Sequence, residues 1–205
     1  MSESAATMAV EQLNTREEHQ EADSRATFGF WVYIMTDCVL FASLFAAFAV
    51  LRNNTYGGPP GGLLFSLPYI LTETLALLTS SFTCGLGILA ANQKKKNLTL
   101  FWFGVTFLLG AFFVGLELHE FAKLVHDGDS WRRSGFLSSY FTLVATHGLH
   151  VSMGLLWMIV MGFQVATRGL VRSTVRRLTL LSMFWHFLDI VWIFIFTIVY
   201  LLGAL

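Results

Sequence analysis

One charged residue in the middle of an apolar run constrains this chain more than any other feature. From residue 178 to 205 the only charged side chain is Asp189, within Trp185-His186-Phe187-Leu188-Asp189-Ile190-Val191-Trp192. About 20 apolar residues suffice to cross the hydrocarbon of a bilayer. Counting ~1.5 Å per residue from Leu178 places Asp189 roughly 16 Å in, near the middle. An ionised aspartate at that depth costs at least ~2.5 kcal/mol. His186 and Asp189 share one helical face, as do Trp185, Asp189 and Trp192. That face must look at protein, lipid headgroup or water rather than acyl chains, so the other helices are expected to gather around it. Asp189 is expected to pair with one or more of His186, His147 and His150.

Composition agrees with a membrane protein. Of 205 residues 55% are hydrophobic and 13% charged, against about 25% charged in soluble domains, and the mean hydropathy is +0.64. The net charge is zero, and no basic patch interleaves with aromatics as in a nucleic-acid binder. Residues 1–27 are polar and hold six acidic side chains; without an apolar core they do not read as a signal peptide and are expected to form a disordered or loosely attached cytoplasmic tail. Cys38 and Cys84 fall in apolar runs and read as small core residues.

Five runs are long enough to span, at about 28–51, 67–91, 98–121, 136–165 and 178–203, making residues 28–205 a five-helix membrane domain. Nine of the thirteen Lys and Arg residues fall in the N-terminal segment and the second and fourth loops; four (Arg52, Lys123, Arg132 and Arg133) fall on the other side. The excess of positive charge predicts a cytoplasmic N-terminus and an outer C-terminus. Gly57-Gly58-Pro59-Pro60-Gly61-Gly62 marks a turn-rich outer loop. No loop is long enough for a soluble catalytic domain, so any chemistry lies within the helices.

The buried polar groups allow two readings each. Glu117 and Glu120 lie three apart near the end of helix three, where they either bind a metal or relay protons, or bond to a loop or a partner subunit at the interface. His147 and His150 lie near mid-membrane on one face of helix four; they either contribute to a metal site or hydrogen-bond to neighbouring helices, with Gly148 permitting close approach. Asp37 in helix one is either a proton site or a buried hydrogen-bonded acid. Glu73, near the outer end of helix two, reads as an interfacial group.

Asp37 with Val39-Leu40-Phe41, the Glu117-x-x-Glu120 pair, Ala145-Thr146-His147-Gly148-Leu149-His150-Val151 and the stretch from Trp185 to Trp192 occur in the order found in subunit III of haem-copper respiratory oxidases, which the chain resembles. The form with seven helices belongs to cytochrome c oxidases; five helices, with Gly29-Phe30-Trp31 and the Gly57-Gly58 loop, are similar to the bacterial quinol oxidase branch of the cytochrome o type. The resemblance implies an all-α integral membrane fold, a five-helix bundle splayed around a lipid cleft. It further implies an accessory subunit without a catalytic centre of its own, packed on subunit I and assembled with subunits II and IV in a bacterial inner membrane. Haem and copper would sit in subunit I, and quinol would be bound by the complex rather than by this chain. The subunit would bind phospholipid and support proton uptake and stability. Asp37 falls at the family's intramembrane carboxylate, while Glu73, Glu117, Glu120, His147, His150, Trp185, His186 and Asp189 would face lipid or partners or hold the structure.

Two other readings compete. One is a membrane-embedded metal-dependent enzyme using Glu117, Glu120, His147, His150 and His186. The other is a small proton-coupled transporter using Asp37 and Asp189, for which the chain carries no internal repeat or broken helix pair.

Overall fold

A computed structural model describes residues 2–52, 54, 67–126, 128 and 134–201. Its described elements are helical: α1 (Ser2–Leu51), α2 (Leu67–Asn92), α3 (Lys96–His126), α4 (Gly135–Arg168) and α5 (Arg172–Ile195), the last continued by a π-helical turn, Phe196–Leu201. Five helical stretches are long and apolar enough to cross a membrane: Ser24–Leu51, Pro68–Asn92, Lys96–His126, Gly135–Arg168 and Arg172–Leu201. The fold is therefore the expected all-α, five-helix membrane architecture.

Helix α1 begins at Ser2 rather than near residue 28, so the segment expected to be a disordered tail has a helical backbone. Its Ala, Glu and Gln residues are strong helix formers, a local preference that hydropathy does not register. The first 38 residues form one compact unit and residues 39–205 another. In the first unit Arg25 pairs with Glu21 one turn away at 3.0 Å, both exposed. Cys38 is exposed and Cys84 buried, so the expected core role holds only for Cys84; neither is in a disulfide.

In the second unit α2 packs on α3 and α5, and α4 packs on the same two helices, which closes a ring of four. Residues 39–51 of α1 join it through aromatic contacts: Phe41 with Phe187, Phe45 with Phe194, and Phe48 with Phe136. The helix ends follow local chemistry. At the end of α2, Lys94 takes φ 57°, and Lys94 N–H and Lys95 N–H donate back to the carbonyls of Ala91 and Ala90, a Schellman stop that reverses the chain tightly into α3. Ser134 caps α4 by accepting from Leu137 N–H at 3.2 Å, and Gly169 ends it at φ 73°.

Two tryptophans hold the ring together. The Trp185 indole lies between α3 and α4: a Cβ on Gly110 would stand 2.7 Å from it, and one on Gly154 3.0 Å. Its Nε1–H donates to Ser80 Oγ of α2 at 3.0 Å. Two turns later the Trp192 Nε1–H donates to Thr74 Oγ1, also of α2, at 3.1 Å. A Cβ on either glycine would keep the Trp185 indole out of the bundle, since membrane helices pack closely only across small residues.

Candidate functional site

The polar residues singled out from the sequence fall into separate places. Asp37, buried on α1, is one turn from Tyr33, whose hydroxyl hydrogen-bonds it. That pair is local to the helix.

Around His147 the surroundings are aromatic. Its ring stacks on Trp192 at a centroid distance of 5.3 Å, with Phe113 edge-on at 6.0 Å and Phe41 at 6.3 Å. His147 is fully buried, and neither ring nitrogen has a hydrogen-bond partner. His150 lies beside Phe41 and its Nδ1 sits 2.7 Å from the carbonyl oxygen of Thr146, one turn back.

A second cluster gathers where α2 begins, α3 ends, α4 begins and α5 ends. Glu73 and Glu117 are both close enough to Glu120 to feel its charge, and Glu117 also feels Glu73. Glu73, Glu117 and Glu120 are all buried, and both carboxyl oxygens of Glu73, with one each of Glu117 and Glu120, lack a hydrogen-bond partner. Tyrosines supply the donors here. Tyr200 hydrogen-bonds Glu120 and lies 3.0 Å from Tyr140, hydroxyl to hydroxyl, while Tyr69 donates to the Leu116 carbonyl at 2.8 Å. The π-helical turn carries Tyr200; such turns shift side-chain register and recur at functional positions. Glu117 lies directly over Gly148, where a Cβ would be 2.8 Å from its Oε2.

The third group lies on the α2–α5 surface. Asp189 lies near His186 and Ser81, and Ser81 Oγ is 2.7 Å from His186 Nδ1. The structure thus brings Asp189 to His186, and to Ser81, but not to His147 or His150. These groups line an open groove of about 460 Å³ with Phe82, Gly85, Leu86 and Ile190.

Sequence reading missed the hydroxyl partners Thr74, Ser80 and Ser81 and the tyrosines Tyr140 and Tyr200. The signal was present in Thr79-Ser80-Ser81, a polar patch inside an apolar helix facing the Trp185-His186 pair. The residues of the metal-enzyme reading are dispersed: Glu117 and Glu120 in the carboxylate cluster, His147 in the aromatic cage, His150 on its own helix backbone, and His186 on the α2–α5 surface. Among the described residues no three His, Cys, Asp or Glu side chains assemble a group able to hold a metal ion.

Residues 8–204 match the family described as cytochrome c oxidase subunit III. The chain is 57% identical over 185 residues to cytochrome bo(3) ubiquinol oxidase subunit 3 of Pseudomonas aeruginosa, covering 90% of this chain and 88% of that one. It is 50% identical to the subunit of that name from Pseudomonas putida, over 90% and 89%. To cytochrome c oxidase subunit 3 of Bacillus sp. strain PS3 it is 45% identical, over 85% and 84%.

Proposed function

The chain belongs to the cytochrome c oxidase subunit III family, and on that premise we propose that it is the accessory third subunit of a haem-copper quinol oxidase. One observation carries the quinol assignment: identity of 57% across 90% of the chain to a ubiquinol oxidase subunit, against 45% to a cytochrome c oxidase subunit. That one fold serves relatives with either electron donor supports a role away from the donor itself. Quinol is then bound by the complex and not by this chain, and haem and copper belong to subunit I, on which this subunit packs together with subunits II and IV.

In this reading the chain resides in a bacterial inner membrane with its N-terminus cytoplasmic and its C-terminus outside. Its aromatic and hydroxyl contacts across four helices make a rigid body that stabilises the assembly. Phospholipid lies against its apolar faces, and Asp37, buried beside Tyr33, supports proton uptake by the complex.

Purification through a tag on this chain in mild detergent tests the proposal. Haem absorption bands should co-purify with a large partner, and should leave with that partner when the complex is dissociated. A colourless chain recovered alone, or one keeping bound metal after dissociation, would overturn it.

A further inference from the structure

The Ser81–His186–Asp189 group is in an unusual position for membrane-embedded polar side chains. His186 is the fifteenth residue of the thirty in Arg172–Leu201, roughly 21 Å from the start at ~1.5 Å per residue, and so in the middle of the hydrocarbon. There it is exposed on the surface of the chain. Asp189 is only 9% exposed, and its Oδ1 has no hydrogen-bond partner. Acyl chains satisfy neither group, and ionisable side chains at this depth face protein or enclosed water. Some other polar group must therefore cover them.

The shape of the groove selects the occupant. Ser81 and Gly85 are four apart on α2 and both line it, giving the small-xxx-small spacing on which membrane helices approach backbone to backbone. A Cβ built on Gly85 meets nothing within 4 Å, so no part of this chain fills the space over the glycine. Cys84 and the Trp185 pocket use the other face of the same helices, already packed within the bundle.

We propose that the α2–α5 groove is the docking seat of a transmembrane helix from another subunit, which lies over Gly85 and presents an amide or hydroxyl side chain to Asp189 and His186. The inference rests on the reading of this chain as one subunit of a membrane complex. A bound quinol headgroup is the rival occupant: it also has hydroxyls at mid-membrane depth, but it does not need the helix spacing of Ser81 and Gly85.

A photoreactive benzophenone side chain placed at Phe82, and separately at Ile190, in the full complex in native membranes decides between them. Both positions line the groove and both side chains are exposed, so the substitutions leave the bundle intact. Illumination should couple each to a membrane polypeptide, and Gly85→Leu, which fills the seat from its open side, should abolish the coupling. Labelling of lipid or quinone alone, or coupling that persists undiminished with Gly85→Leu, would overturn the proposal. Haem recovered with the tagged wild-type chain is scored independently. Haem without polypeptide coupling removes the docking seat and leaves the oxidase reading standing, whereas coupling without haem does the reverse.

Discussion

Trp185 meets four helices with one side chain: it grows from α5, fills the notches at Gly110 and Gly154, and donates to Ser80. Its two contributions separate by substitution. Ser80→Ala removes one interhelical hydrogen bond, of about 0.6–1.7 kcal/mol in membrane bundles, while Trp185→Ala also empties the notches and should cost ~3–5 kcal/mol. Thermal unfolding of the purified complex should rank them in that order; equal effects would mean that the indole packs without the bond mattering. Gly148 makes a sharper test, because a Cβ there would be 2.8 Å from Glu117 Oε2. Gly148→Ala should destabilise by roughly 1–3 kcal/mol through overpacking. Glu117→Asp, one methylene shorter, should withdraw the carboxyl and recover much of that loss in the double variant. Additive effects in this cycle would show that the contact is not the cause.

At the level of whole helices, the ends are where local chemistry and hydropathy part company. The apolar runs place the five spans, but α3 continues past residue 121 to His126, α4 past 165 to Arg168, and α5 starts at Arg172 rather than 178. Charged residues at a membrane surface end the hydropathy signal without ending the helix, because their backbone bonds continue and their side chains reach water. The stop of α2 falls at Asn92, where the apolar run ends, but its geometry is not legible there: a lysine, not a glycine, occupies the left-handed position at φ 57°. An L side chain pays about 1–2 kcal/mol in that conformation. Lys94→Gly should accordingly stabilise the chain by up to about 1 kcal/mol after the added freedom of the unfolded state is subtracted, whereas Lys94→Val should destabilise it. Melting of the two variants beside the wild type checks the sign of each. What the sequence displayed of the site was its residue types and their depth. Which hydroxyl of α2 meets which ring of α5 depends on the rotation of one helix against another, so Ser80, Ser81 and Thr74 gave no sign of their partners.

For the whole molecule the open question with a decisive answer is which side of the membrane each end of the bundle occupies, since the carboxylate–tyrosine cluster lies at one end only. The distribution of nine against four basic residues predicts that end to be outside, because Lys and Arg near the spans are retained on the cytoplasmic side. The helix that reports on this is α3, whose 31 residues extend roughly 46 Å at ~1.5 Å each, more than the ~30 Å hydrocarbon thickness. Both of its ends therefore stand clear of the acyl chains. Lys95, just before it, and His126, its last residue, are exposed. In a chain with Cys38 and Cys84 replaced by Ser, Lys95→Cys and His126→Cys each give a single thiol at one end. A membrane-impermeant maleimide added to intact spheroplasts should label His126→Cys and spare Lys95→Cys, and inverted vesicles should reverse the pattern. Labelling in the opposite sense would turn the molecule over, putting Glu73, Glu117 and Glu120 near the cytoplasmic surface, where they would face the side from which protons are taken up rather than the side to which they are released.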